Sequence, residues 1–207
     1  MIELDGIVKR FGDKTVYDGF CARFEGITAV MGRSGCGKTT LLNIVASLTP
    51  YEGTVVKNGN ISYMFQQPRL IKNLTVLENL LYVGAEENTA KAILQKVEVD
   101  GALYPKQLSG GMADRASLAR AFATDGGTLL MDEPFRGLDI GLKMRIFDVF
   151  ETLYRDRARD VLFVTHSPLE ACRLAERAII IDDGRIISDF SGDSLSEQAL
   201  TDVLKAL

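Results

Sequence analysis

Polar and apolar positions alternate over the first 26 residues, MIELDGIVKRFGDKTVYDGFCARFEG, in β-type runs broken at Gly12-Asp13 and Glu25-Gly26. That pattern predicts an antiparallel hairpin. The next run, ITAVMG, is apolar but for Thr28, as in a strand buried on both faces. It leads through a glycine-rich loop into KTTLLNIVASL, which reads as a helix. From about 68 to 124 the periodicity is mostly helical. Thr75 and Glu78 fit a capping box before VLENLLYV, and Asn88 or Thr89 is placed to cap AKAILQKV. GTLLMDEP and DVLFVTHS read as buried strands separated by the helical LKMRIFDVFETLYRD. Ser167, Pro168 and Glu170 supply a cap, a first-turn proline and a box partner for a further helix. RAIIIDDGRIISDF predicts a hairpin around Asp183-Gly184, and Ser194 with Glu197 repeats the capping signature before a last short helix.

Strands alternating with helices imply an α/β layered domain with a mainly parallel sheet. The expected organisation is a single domain over 1–207. A core formed by 1–67 and 125–207 carries an N-terminal antiparallel β region, and 68–124 forms a small inserted helical subdomain.

Composition narrows the class. With 46% hydrophobic and 25% charged residues over 207 positions, the chain can bury one sizeable core. A net charge of −4 argues against a nucleic-acid surface, which requires a basic stripe. The opening residues lack a charged-then-apolar leader, and no apolar run approaches the ~20 residues of a membrane span. Three widely spaced cysteines, Cys21, Cys36 and Cys172, fit a reducing compartment. The expected location is therefore cytoplasmic.

The chemistry concentrates at three places. GRSGCGKT (Gly32, Arg33, Ser34, Gly35, Cys36, Gly37, Lys38, Thr39) matches G-x-x-x-x-G-K-[ST] between a strand and a helix. Backbone N–H groups of such a loop converge on phosphate oxygens, and the helix start adds its positive dipole end. Lys38 is placed to reach the β- and γ-phosphates and Thr39 to bind Mg²⁺. TLLMDEP ends a buried strand in Asp132, suited to a magnesium-directed carboxylate, and in Glu133, suited to polarising water. LSGGMADRASLARA puts Ser109, Gly110 and Gly111 at the start of an amphipathic helix, a second anion cradle. Cys36 and Arg33 read as a tolerated small residue and a solvated loop charge. Arg115 and Arg120 fit either phosphate contacts or structural ion pairs.

With these motifs in this order, the chain resembles the ATP-binding cassette (ABC) ATPases over nearly its whole length, from Phe11 to about Gly192. The resemblance implies a P-loop NTPase core, ATP and Mg²⁺ as cofactors, and two subunits packed head to tail around two ATP molecules. Each ATP would then lie between one subunit's P-loop and the other's LSGGM. It further implies that Phe11 stacks on adenine and that Lys38, Thr39 and Thr40 occupy the phosphate loop. Gln66 in YMFQQPRL would sense Mg²⁺ and face the membrane partner, with Thr39 and Asp132 the other metal-directed groups. Ser109 and Gly111 would contact the γ-phosphate. Glu133 would be the general base, Asp139 in FRGLD the D-loop aspartate and His166 in VTHS the switch histidine.

Met112 stands where glutamine is commonest in the family, and Arg136-Gly137 where smaller residues are usual. LSGGM and PRLIKNLTVLENL are similar to ATPases of nitrate/sulfonate/taurine-type importers. The implied partners are a second ATPase subunit in a homodimer, transmembrane permease subunits and a substrate-binding protein. The implied place is the inner face of the cell membrane, reached through the permease. The alternative is a non-transport ABC ATPase acting on nucleic acid or ribosomes. Only 71 positions separate Lys38 from Ser109, too few for the long coiled coil of the chromosome-maintenance kind.

Overall fold

A computed structural model describes residues 1–124, 126–155 and 159–207, the last residue of the middle stretch by its backbone alone. Asp125, the expected start of the resumed core, and Asp156, the expected end of the LKMRIFDVFETLYRD helix, lie outside the described residues. The chain divides into two compact units. One comprises Met1–Ile61, Gly127–Asp132 and Arg159–Leu207, the other Ser62–Gly126 and Glu133–Ala158.

The first unit contains two sheets. Strands β1 (Ile2–Phe11) and β2 (Lys14–Phe24) form the expected hairpin, pairing from Ile2↔Phe24 to Phe11↔Lys14. The sequence reading did not include β4 (Glu52–Lys57), which pairs antiparallel on the other side of β1 and completes a three-stranded sheet in the order β2-β1-β4. Its six residues are all exposed or half-buried, so no apolar alternation marked it as a strand.

The second sheet of this unit is the parallel one. Strands β3 (Ile27–Met31), β6 (Thr128–Asp132), β7 (Asp160–Val164), β8 (Arg177–Asp182) and β9 (Arg185–Ser191) neighbour one another in the order β6-β7-β3-β8-β9. The first four run parallel, and β9 returns antiparallel from β8. Every residue of β3, β6 and β7 is buried, as expected for strands covered on both faces. The turn between β8 and β9 carries positive φ at Asp183 (44°) and Gly184 (70°), the geometry of a two-residue primed hairpin. Helices α1 (Lys38–Val45), α6 (Pro168–Leu174) and α7 (Glu197–Ala206) belong to this unit.

The second unit is mainly helical. Strand β5 (Ile61–Met64) leads into it, followed by α2 (Val76–Tyr82), α3 (Glu87–Lys96), α4 (Gly110–Ala123) and α5 (Ile140–Arg155). Helices α2, α3 and α4 pack on one another, and Leu80, Ile93, Leu94 and Leu118 on them are buried. Phe122 meets Phe150 at 5.7 Å, and Phe135 meets Phe147 edge-on at 4.9 Å. Truncating one of these rings to alanine removes about 3–5 kcal/mol.

Helix starts were read correctly at α2 and α6 and missed at α3 and α7. Thr75 and Glu78 form the full reciprocal box. At α3 the cap is Glu86, whose carboxylate accepts from both Asn88 and Thr89 N–H, so the two expected caps are themselves the donors. At α7 the cap is Ser196, while Ser194 closes a separate 3-10 turn with Ser191. At α6 Ser167 caps as expected, accepting from Glu170 N–H. The return bond differs: Ser167 N–H goes to the Thr165 hydroxyl at 3.0 Å, which in turn donates to the buried Glu170 carboxylate.

Candidate nucleotide-binding and hydrolysis site

The phosphate loop follows directly from β3. Gly32 takes φ 143°, and a Cβ there would lie 2.0 Å from the Ile181 carbonyl oxygen on the neighbouring strand. Gly37, at φ 109°, precedes α1, and a Cβ there would meet Val16 and Tyr17 at 2.7 and 3.0 Å. No L side chain fits either position. Tyr17 Oη donates to the Gly37 carbonyl at 3.0 Å, which pins the loop's end to β2. Burial, and after it Cys36, pushes the Tyr17 phenol well above its usual range, so it stays protonated and donating.

Lys38 is 6% exposed. Its ammonium donates to the Gly32 and Arg33 carbonyls at 2.8 and 2.6 Å, inside the loop it is expected to serve. Thr39 Oγ1 donates to Asp132 Oδ2 at 2.8 Å, joining the head of α1 to the C-terminal end of β6. Asp132 is 2% exposed. One hydroxyl and one carboxylate side by side suit Mg²⁺, which keeps several waters and takes its remaining oxygens from phosphate. No cluster of three or more acidic, histidine or cysteine side chains exists among the described residues.

Thr40 is half-buried in the first turn of α1. His166 is exposed just beyond β7, between Thr165 and Ser167, whose hydrogen bonds fix the turn that carries it. Phe11 is 54% exposed at the end of β1, with Lys9 Nζ 4.4 Å from its ring centroid. A groove of about 450 Å³ runs beside the loop, lined by Lys14, Val16, Arg33, Ser34, Cys36 and Asp183 among others.

The second unit brings another set together. Gln66, Gln67, Asp114, Glu133, Arg136 and Gly137 line a hollow of about 270 Å³ with Met64. Glu133 stands at φ 51°, a left-handed conformation uncommon for glutamate and unreadable from sequence. A turn closed by Arg136 N–H to the Glu133 carbonyl at 3.2 Å brings the Arg136 guanidinium to 3.9 Å from the Glu133 carboxylate. Burial raises the Asp114 carboxyl above its usual range, and Arg136 pulls it partly back. Asp139 accepts from Leu142 N–H at 3.0 Å, capping α5.

Ser109 caps α4, accepting from Met112 N–H at 3.3 Å. Gly110 and Gly111 form the first turn, both exposed, with open space around the position of a Cβ. Arg115 and Arg120 donate to carbonyl oxygens, of Glu98 at 3.3 Å and of Arg69 at 2.8 Å.

A phosphate loop, a strand-end aspartate bonded to its threonine and a serine-capped Gly-Gly helix together define an ATP-binding cassette. The family model for ABC transporters matches residues 20–136. The chain belongs to this family, as an ATP-binding subunit that hydrolyses ATP. The aliphatic sulfonates import ATP-binding protein SsuB 1 of Nocardia farcinica is 39% identical over 216 residues, covering 99% of this chain and 88% of its own. Proteins named SsuB from Corynebacterium glutamicum and Burkholderia thailandensis are 36% and 38% identical over 201 residues. Each match covers 91% of this chain, with 83% and 60% of the respective relative. A dimeric ATP-binding cassette, MJ0796, in a post-hydrolysis state bound to ADP and Pi superposes with a TM-score of 0.81. It is 28% identical, covering 92% of this chain and 98% of its own. The P-loop NTPase fold expected from sequence, with its parallel sheet and antiparallel N-terminal sheet, is the fold observed.

Proposed function

We propose that this chain energises an importer of aliphatic sulfonates or related oxyanions, two copies enclosing two ATP molecules and driving separate permease subunits. The relatives named as aliphatic sulfonates import proteins support the substrate class. The observation that carries the shared site is the first turn of α4. Ser109 is placed as a cap, and the space around Gly110 and Gly111 is open, so a phosphate from outside the subunit can approach their N–H groups. The dimeric state of MJ0796 supports the same arrangement.

In this reading Phe11 stacks on adenine. The backbone of Gly32, Arg33, Ser34, Gly35, Cys36 and Gly37 encloses the phosphates, and Thr40 extends that contact. Lys38 leaves its loop carbonyls for the β- and γ-phosphate oxygens. Thr39 and Asp132 would hold Mg²⁺, with Gln66 a further ligand, and the ion would supply neutralisation of phosphate charge. Glu133 accepts a proton from the attacking water. The water oxygen bonds to the γ-phosphorus, the bridging P–O bond breaks, and ADP leaves with that electron pair. His166, and Ser109 with the Gly110 and Gly111 N–H groups from the partner, stabilise the transferring phosphoryl group. Asp139 lies at the subunit contact. The subunit works peripherally at the inner membrane face: no helix among the described residues is long and apolar enough to cross a membrane. A substrate-binding protein completes the set of partners.

Light scattering on the Glu133→Gln variant tests this. The expected outcome is an ATP-dependent shift from monomer to dimer that Ser109→Arg abolishes. A monomer at saturating ATP contradicts the shared site. Loss of aliphatic sulfonate uptake when the chain is deleted from its source, restored by the intact chain but not by Glu133→Gln, tests the substrate class.

A further inference from the structure

The loop that carries Gln66 is gripped on both sides by consecutive residues of one helix. Upstream, the buried Ser62 hydroxyl donates to the Ala121 carbonyl at 2.6 Å. Downstream, Arg120 Nη1 donates to the Arg69 carbonyl at 2.8 Å and reaches Asn79 Oδ1 at 3.4 Å. Asn79 is fully buried in α2 and directs its whole amide at the chain just beyond. Its Oδ1 accepts from Ile71 N–H at 2.7 Å, and its Nδ2 lies within bonding distance of the Ile71, Leu74 and Thr75 carbonyls. Ala121 and Arg120 both belong to α4, the helix whose N-terminus is Ser109-Gly110-Gly111.

We infer that Arg120 is a positioning residue, which latches the Gln66 loop to α4 so that the two move as one piece. This rests on the reading of Gln66 and Ser109 as ATP-site residues. The mechanical argument is short. A surface loop closed only by its own backbone absorbs a displacement by bending. A loop held on both sides by charged or buried hydrogen bonds passes the displacement on. Along α4 the latch and Ser109 are separated by about 16 Å of continuous helix, at 1.5 Å per residue, which is stiff over that length. A shift at Gln66 is therefore delivered to the Gly110 and Gly111 N–H groups.

The test uses the full chain carrying Glu133→Gln and follows amide hydrogen exchange of peptides spanning 66–75 and 108–113, with and without Mg-ATP. The parent shows slowed exchange in both. Arg120→Ala retains the response at 66–75 and loses at least half of it at 108–113, and Arg120→Lys recovers part. With Glu133 intact, Arg120→Ala lowers kcat about tenfold, the loss of one charge-assisted bond, and leaves KM nearly unchanged. A 108–113 response equal to the parent's overturns the latch and leaves the ATP-site reading standing. A parent with no response at 108–113 overturns that reading, and the latch falls with it. Should Arg120→Ala not fold, Ser62→Ala and Arg120→Lys are expected to weaken the 108–113 response partially, and equal responses in both overturn the proposal.

Discussion

In the proposed function two helix starts of this chain present backbone N–H groups to an anion, and the surroundings of their glycines differ. In the phosphate loop Gly32 and Gly37 sit at φ 143° and 109°, with the Ile181 carbonyl and the Tyr17 ring pressed against them. They are glycines because the chain itself leaves no alternative. At the head of α4, Gly110 and Gly111 are helical, and a Cβ on either would enter open space. Nothing among the described residues demands a glycine there, and a helix start without one is more stable. The first cradle is shaped by its own fold, whereas the second is bare, as the proposed approach of a partner's phosphate requires.

Four substitutions sharpen or break that contrast. Gly32→Ala has the largest effect, because the clash with the Ile181 carbonyl adds to an unfavourable φ. About 3 kcal/mol of stability should be lost, seen as a thermal midpoint lower by roughly 6–12 °C, and ATP binding with it. Lys38→Ala acts on binding: ATP affinity measured by calorimetry falls about 10- to 100-fold, the worth of a charged hydrogen bond. Ser109→Ala removes the cap that Met112 N–H relies on and costs about 1 kcal/mol in chemical denaturation. Gly110→Ala has the smallest effect, and its sign is opposite. Stability is unchanged or rises by up to about 0.5–1 kcal/mol, while ATP-dependent dimerisation weakens. A Gly110→Ala protein that is less stable than the parent would erase the distinction between the cradles.

The motif residues were legible because each carries its chemistry in its side chain or in the glycines beside it. Thr39 and Asp132 meet as their places at a helix start and a strand end implied, and Lys38 is folded into its loop. What escaped depends on tertiary context. Glu86 caps α3 with a longer side chain than the usual capping residues, and so Asn88 and Thr89 stood out instead. Ser196 and Ser194 are both capping residues two positions apart, and local pattern did not separate them. Strand β4 is an exposed strip whose partner β1 lies about fifty residues upstream. The left-handed backbone at Glu133 and the carbonyl partners of Arg120 have no sequence signal at all.

The two carbonyl bonds that Lys38 makes within its own loop bear on the thermodynamics of ligand capture. In the proposed reading ATP does not recruit an idle cation; it competes for an engaged one. Binding is then an exchange reaction, in which the heat gained at the phosphate is offset by that surrendered at Gly32 and Arg33. The lysine's share of affinity is a difference between two good interactions, and that difference is easily reversed when charge on the nucleotide falls after hydrolysis. A residue already satisfied before its ligand arrives is one the ligand can also leave.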